Sequence, residues 1–369
     1  MILRIEQLKD VCSKLLFAID NNDVSKLTEV LEIKYIENGL ELSITNKEYI
    51  VKVTIPIAGV EEFHATVDAE IFLKLISQIT TETVELKIED NSLIVIGNGE
   101  YTFPMIYEND DLFELPDIDI ETETCKFQVS TDVLGKIMNY NSKEIMKSAI
   151  SHPVQKMYYI DEKGCITFTS GACITNFNLG VNIKFLLNSK IVKLFRLFSD
   201  GQVDCVFGYK TINDEINQPR ISFKNKFITL TTILNDDDSM INAVPAEAIR
   251  KRAEDTYNYS VIFNKNMLLQ TINRLTLFAE SNQIIKPYGI FEFGSDSVKI
   301  YDKHKVNNET VNYDNHIELE EYTATIDLTD LKSVLDSCKE EHITFNFGNE
   351  QAIVIQRPNV YNVIPEMIV

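Results

Sequence analysis

The 369 residues carry a net charge of −21, with 25% charged and 44% hydrophobic side chains, the proportions of a soluble globular protein. That charge opposes indiscriminate adhesion to nucleic acid or anionic membrane, and no apolar run reaches the ~20 residues of a membrane-spanning helix. A chain of this length is too large for one ordinary core, which implies two or three domains.

A helix-period segment followed by strand-period segments recurs six times along the chain. The first predicted helix covers residues 4–21 and leads to strand-patterned residues 45–56, with Ile50, Val51, Val53 and Ile55. The clearest copy comes next. Residues 68–79 form an amphipathic helix, residues 84–88 a strand, Glu89-Asp90-Asn91-Ser92 a turn, residues 93–96 a second strand and residues 101–106 a third. Acidic groups crowd residues 108–123 around Pro116, and this segment reads as a linker. A helix over residues 131–148 opens the second block. Another over residues 184–198 places Leu187, Ile191, Leu194 and Phe198 at helical spacing, and residues 220–234 alternate as strands. A second polar boundary runs from Asn235-Asp236-Asp237-Asp238 past Pro245 and Arg250-Lys251-Arg252 to Asp255. Helices over residues 265–278 and 327–339 organise the last block, which continues into the strand Ile343-Thr344-Phe345-Asn346-Phe347. Turn chemistry marks the hairpins at Glu37-Asn38-Gly39, Asp161-Glu162-Lys163-Gly164 and Gly294-Ser295-Asp296. Repeated units must stack to bury their apolar faces. The expected fold is α+β, with tandem domains at residues 1–118, 124–245 and 255–369, each built from two helix-plus-antiparallel-sheet units.

Charge separates by element type. The six predicted helices sum to +5, led by +4 on residues 184–198, and the rest of the chain carries −26. Lys190, Lys193 and Arg196 step by three along one helix, and Lys136, Lys143 and Lys147 share a face if one helix holds all three. A charge run is usually only a solvated face, but a separation by element type, basic helices within an acidic shell, reads as functional.

Signatures of catalysis are missing. Gly97-Asn98-Gly99 has a strand-turn-strand context and reads as a hairpin, not a phosphate loop. The five histidines, His64, His152, His304, His316 and His342, lack metal-ligand spacing, and Asp236-Asp237-Asp238 lacks the pattern of a calcium loop. No cofactor or metal is expected. The six cysteines form no paired motif, and the N-terminus lacks a signal-peptide layout. Reduced, mostly buried thiols in a cytoplasmic protein follow, and Asn308-Glu309-Thr310 would then never serve as a glycosylation acceptor.

Several local phrases, in order across the whole chain, resemble the bacterial-type sliding clamp, the beta subunit of the replicative DNA polymerase. Phe63-His64-Ala65-Thr66-Val67-Asp68-Ala69 before an amphipathic helix is similar to the approach to that family's second helix. Tyr101-Thr102-Phe103-Pro104-Met105-Ile106, then Asp111-Leu112-Phe113-Glu114-Leu115-Pro116, resembles its last first-domain strand and linker. Phe227-Ile228-Thr229-Leu230-Thr231-Thr232-Ile233-Leu234 with an acidic loop and Val244-Pro245 resembles the end of its second domain, and Tyr361 to Val369 its closing tail.

The resemblance implies three tandem clamp domains and a head-to-tail homodimeric ring, helices lining the hole and sheets outside. Such a ring encircles duplex DNA without sequence preference and gives the replicative polymerase processivity. It is an accessory subunit, not an enzyme, and a clamp loader and the polymerase are its partners. Residues implied to face DNA are Lys136, Lys143, Lys147, Lys190, Lys193, Arg196 and Arg274. Implied at the ring joint are Tyr101 and Phe103 against Leu277 and Phe278. The partner-peptide groove is implied at Thr169, Gly171, Ile174, Val244, Val363, Ile364, Pro365, Met367 and Ile368. Where the family has Thr-Asp-Gly-His-Arg-Leu, this chain has Thr169-Ser170-Gly171-Ala172-Cys173-Ile174, so the groove's polar contacts differ here. Two other readings fit the same pattern: a pseudo-repeat scaffold that binds no DNA, and a clamp serving mainly as a mobile transcription platform.

Overall fold

The computed structural model describes residues 1–19, 26–37, 39–58, 62–145, 152–212, 216–235, 237–278, 287–319, 321–349 and 352–368. One order of elements occurs three times: a strand, a helix, four strands, a second helix and three more strands. In the first repeat the opening strand is Ile2–Arg4 and the helices are Ile5–Leu15 and Ala69–Gln78. The second opens with Thr122–Ser130 and has helices Thr131–Asn139 and Ser189–Leu194. The third opens with Tyr259–Asn264 and has helices Lys265–Thr276 and Leu328–Ser337.

Local chemistry explains why the same order forms. In four of these cases the last residue of a strand caps the helix that follows. Asp68 accepts from the Ile71 amide at 2.7 Å, Asn188 from Ile191 at 3.0 Å, Asn264 from Met267 at 3.1 Å and Asp327 from Thr329 at 2.8 Å. Helix Ala69–Gln78 then buries Ala69, Phe72, Leu73 and Ile76, one apolar stripe at 3.6-residue spacing. Gly39 and Gly164 occupy matching turns at φ +146°, where a β-carbon would lie 2.1 and 2.2 Å from a backbone oxygen, so neither turn accepts a side chain.

The chain folds into two compact units, Met1–Thr131 with Lys193–Asp236, and Asp132–Val192 with Val369 ending the stretch from Asp237. The first holds a four-stranded antiparallel sheet, ordered Ile2–Arg4, Thr83–Glu89, Ser92–Ile96, Glu100–Pro104. Its eight-stranded sheet runs Thr122–Ser130, Gln202–Ile212, Ile216–Lys224, Ile228–Ile233, Tyr49–Ile55, Gly39–Thr45, Val30–Ile36, His64–Asp68. The second unit repeats the plan. Its eight strands are Phe185–Asn188, Met157–Asp161, Gly164–Phe168, Ala172–Asn176, Val360–Pro365, Ala352–Arg357, His342–Phe347 and Tyr259–Asn264, beside a four-stranded sheet ordered Asn308–Asn312, Ser297–Asp302, Tyr288–Phe293, Tyr322–Asp327. Each eight-stranded sheet is thus two four-stranded sets joined by one antiparallel pair, Leu230 opposite Val51 in one and Ala172 opposite Val363 in the other. The core of the second unit includes a chain of aromatics, with Phe293 stacked on Phe347 at 4.1 Å and Phe263 edge-on to Phe345 at 5.0 Å.

Several expected elements differ in their bounds. The helix expected over residues 184–198 starts as the strand Phe185–Asn188, continues as the helix Ser189–Leu194 and ends in a 3-10 turn, Phe195–Leu197. Three consecutive buried apolar residues, Phe185, Leu186 and Leu187, pair with Met157–Asp161 on a sheet edge, which outweighs the helical spacing. The helix expected over residues 131–148 ends at Asn139, and Lys143 belongs to a separate 3-10 turn, Asn141–Glu144. Lys136 and Lys143 therefore do not share one helix face, and Lys147 lies outside the described residues. The second polar boundary is helical, Asp238–Asn242 and Ala246–Glu254, with Asp237 capping the first by accepting from Ser239. All six cysteines are free thiols, five of them buried.

The first acidic linker is tied down rather than solvated. Ile118 is buried, Lys52 pairs with Asp119 at 2.9 Å, Lys210 pairs with Asp117, and the buried Arg220 donates to the Asp119 carbonyl at 3.0 Å. Partial burial pushes the Asp117 carboxyl up, but the Lys210 hydrogen bond, the Asp119 amide and the charges of Lys210 and Lys52 together hold it below the usual carboxylate range. A depressed folded-state pKa contributes stability above the unfolded value of about 4 and loses it as pH falls further. Lys210→Ala is therefore expected to melt below wild type at pH 5, with the gap narrowing toward pH 3. A gap unchanged at pH 3 would show that Lys210 acts through its aliphatic stem instead.

Candidate functional site

The second unit carries a groove of about 310 Å³ where its two four-stranded sets join. One wall is the turn from Phe168 to Ala172. The floor is Ala352, Val363 and Pro365, and the other wall is Pro245 with Ala248, Ile249 and Arg252 of the helix Ala246–Glu254. Gly171 makes the join possible. A β-carbon there would lie 2.6 Å from the Val363 carbonyl oxygen, so only glycine lets the turn approach the C-terminal strand.

Buried polar groups fix the turn. Asn141 donates to the Cys173 carbonyl at 3.0 Å and accepts from the Thr175 hydroxyl at 2.7 Å, while the Thr167 hydroxyl donates to the Asn141 carbonyl at 2.9 Å. Beside it the buried Glu144 carboxylate accepts from the Thr169 hydroxyl at 3.1 Å, and Asp330 accepts from Ser170 at 3.0 Å. The helical wall is held by a buried bidentate pair, Arg250 donating to both Asp161 oxygens at 2.7 Å. Cys173 points away from the groove into a small cluster with Tyr140 and Val360, and burial pushes its thiol up to about 12, so it stays neutral.

Of the residues expected at the groove, Thr169, Gly171, Val363 and Pro365 line it together. Val244 is buried in the apolar cluster beneath, with Ile174. Ile364 lies in the other core, with Phe345 and Phe347, because strand alternation turns its side chain opposite to Val363 and Pro365. Past Pro365 the Met367 amide donates to the Thr325 carbonyl at 2.8 Å, and Ile368 is fully exposed. Sequence reasoning missed Phe168, Ala248, Ile249, Arg252 and Ala352. The signal available was the spacing of Ala248, Ile249 and Arg252, one helical turn hidden among charges.

The basic residues divide into two kinds. Lys190, Lys193 and Arg196 all lie exposed along the helix and 3-10 turn spanning residues 189–197, and Arg196 packs over the Phe17 ring at 4.9 Å. Lys143 is also exposed. Lys136 is ion-paired with Asp132 at 2.9 Å, and Arg274 with Glu309 through its Nε at 2.8 Å. At the residues expected at a joint, Phe103 is buried against Phe72, Tyr101 is half-buried, and Leu277 and Phe278 are 82% and 53% exposed. Three histidines each bond one carboxylate: His64 to Glu32, His316 to Asp296 and His342 to Asp314. Among the described residues no three or more His, Cys, Asp or Glu side chains gather as a metal site would require, and no helix is long and apolar enough to cross a membrane.

No family model and no curated protein matches the sequence. Solved structures do match in three dimensions. The DNA polymerase sliding clamp of Bacillus subtilis gives a TM-score of 0.78 at 16% identity, covering 100% of this chain and 98% of that one. The DNA polymerase III subunit beta of Pseudomonas aeruginosa gives 0.79 at 12% identity, covering 100% of both. The Helicobacter pylori beta clamp, solved bound to a DNA ligase peptide, gives 0.74 at 14% identity, covering 100% and 99%. With its thrice-repeated order of elements and its antiparallel sheets, the chain carries, over its whole length, the fold of the bacterial DNA polymerase sliding clamp.

Proposed function

We propose that this protein is a DNA sliding clamp: two copies close head to tail around duplex DNA, and the ring tethers the replicative polymerase through the groove at Gly171 and Val363. Residues 1–118, 124–245 and 255–369 are its three domains. It is a non-catalytic cytoplasmic subunit, and a clamp loader competes with the polymerase for the same groove.

The observation that carries this reading is a pairing rule. In both eight-stranded sheets the last strand of one repeat pairs with the third inter-helix strand of the repeat before it: Ile228–Ile233 with Tyr49–Ile55, and Val360–Pro365 with Ala172–Asn176. Applied once more, the rule pairs the last strand of the first repeat, Glu100–Pro104, with the third inter-helix strand of the third, Asn308–Asn312. Each is the outer strand of its own four-stranded sheet, and both have the same burial alternation around one buried apolar residue, Phe103 or Val311. Unpaired edges of this kind invite another chain. A second copy that supplies the missing neighbour makes a heterologous contact, and two such contacts close a ring.

A ring holds DNA by topology, so tight phosphate contacts are unnecessary and would impede sliding; a few contacts through Lys and Arg suffice. Lys190, Lys193 and Arg196 fit that need, and Lys143 is exposed as well. Lys136 and Arg274 must first exchange their carboxylate partners. Replacing Lys190, Lys193 and Arg196 together with Glu is expected to reduce processivity and to flatten the salt dependence of DNA binding by about one unit of slope per lost phosphate contact. The fold is expected to survive, since all three side chains are exposed. Unchanged processivity would move the DNA contacts to another face.

The function itself is tested on nicked circular DNA. Protein bound to the circle and isolated by gel filtration should be lost when the DNA is cut once to linear form. Retention on linear DNA would mean groove binding rather than encirclement, and no binding to either form would favour the scaffold reading.

A further inference from the structure

Two arginines lie over aromatic rings that follow the first helix of a repeat, and they differ in what their donors can still do. Arg357 lies over Tyr140 at 4.6 Å. Both are buried, and this guanidinium donates to Ser337, Cys338 and Asn362. Arg196 lies over Phe17 at 4.9 Å, and both are exposed, Phe17 at 52%. The Arg196 Nε donates to the Lys193 carbonyl at 2.9 Å, so its guanidinium is held at two points, by the ring and by that carbonyl. Its two terminal nitrogens have no acceptor among the described residues, and the exposed Lys193 ammonium has no partner there either. An exposed guanidinium held in this way offers free N–H donors and a planar face, and the ring beside it offers apolar surface.

We infer that Phe17 and Arg196 form a stacking site for an unpaired base of single-stranded DNA, with Lys193 on its phosphate. This rests on the clamp reading above, which puts Lys193 and Arg196 toward DNA, and it adds a strand preference to that reading. Charge complementarity makes the occupant an anion, since unpartnered cations stand together in a chain of net charge −21. The ring narrows the choice further. A phosphate gains little from an exposed phenyl group, whereas every base has a π-face that stacks on an aromatic side chain or on a guanidinium plane. Inside a duplex those faces are already stacked on their neighbours, so an unpaired base is the one that can present its own. Single-stranded template begins where a primer ends, which is the point a polymerase tether has to reach.

The test measures binding of the full chain, by fluorescence anisotropy at one salt concentration, to a labelled oligo-dT strand and to a duplex of the same length. The single strand carries one 2-aminopurine, a fluorescent base whose emission falls when it stacks. Wild type is expected to bind the single strand more tightly than the duplex and to quench that emission. Phe17→Leu keeps the apolar bulk and removes the π-face. It should weaken the single strand about fivefold or more, the scale of one base–aromatic stack, and leave the duplex unchanged. Phe17→Trp should keep both the binding and the quenching. If Phe17→Leu weakens both forms alike, the ring only positions Arg196 for phosphate and the stacking site is wrong. It is equally wrong if that variant binds the single strand as wild type does. Wild type that binds the duplex with no preference for the single strand overturns the site and leaves the clamp reading standing. Wild type that binds no single strand overturns the site, and the nicked circle then decides whether the clamp reading falls too. Thermal melts accompany both variants, and if Phe17→Leu unfolds, absence of quenching by wild type overturns the site.

Discussion

Leu277→Asp combined with Phe278→Asp is expected to convert the proposed dimer into folded monomers. Both side chains end the helix Lys265–Thr276 and are exposed at 82% and 53%, an unusual state for adjacent large apolar residues. Covering such a side chain at a joint stabilises by about 1.5–3 kcal/mol. Losing two from one joint removes about 3–6 kcal/mol, which weakens association by a factor on the order of 10²–10⁴. Sedimentation velocity at micromolar concentration reads the result directly. A wild type that sediments as a monomer would undermine the closed ring, and a double variant that remains dimeric would place the joint on another surface.

The second large effect is on stability. Asp161→Ala leaves the Arg250 guanidinium, now 10% exposed, without its bidentate partner. Removing one member of a buried pair costs about 3–5 kcal/mol, a large part of the 5–15 kcal/mol that holds an ordinary domain together. The second unit should unfold at markedly lower denaturant, and the wall carrying Ala248 and Arg252 should lose its anchor. Replacing both members, Asp161→Leu with Arg250→Met, should recover most of the loss because no charge is left stranded. Denaturant melts of the two variants beside wild type decide the point. A single-variant loss under about 1 kcal/mol, the level of an exposed pair, would mean that water reaches the pair and that the helix is held by apolar packing alone.

Where local chemistry decides structure, the sequence was readable. Helix Ala69–Gln78 declared itself through the amphipathic pattern of residues 68–79, and Leu328–Ser337 falls within the helix expected over residues 327–339. Where partners lie far apart in sequence, it was not. Phe185-Leu186-Leu187 fits a helix or a buried strand equally well until Met157–Asp161 is placed beside it. Arg250 and Asp161 are 89 positions apart, so Arg250-Lys251-Arg252 read as part of a polar boundary although Arg252 lines the groove. The site was half legible. Val363 and Pro365 follow from the closing strand, whereas the opposite burial of Ile364 needs the register of Ala172 against Val363. The acidic linker was misjudged for the same reason, since Lys52 and Lys210 lie on strands distant from it in sequence.

One feature of the topology governs when the groove can exist. Its floor and turn come from strands Ala172–Asn176 and Val360–Pro365, joined only by direct pairing. During synthesis the first of these leaves the ribosome almost two hundred residues before the second. Until then the edge of Ala172–Asn176 has no neighbour, and pairings this distant form late. A chain arrested between residues 236 and 360 holds the whole of its first unit yet lacks the Val360–Pro365 floor of the groove. If partners dock in this groove as proposed, a fragment ending before residue 360 cannot compete for them.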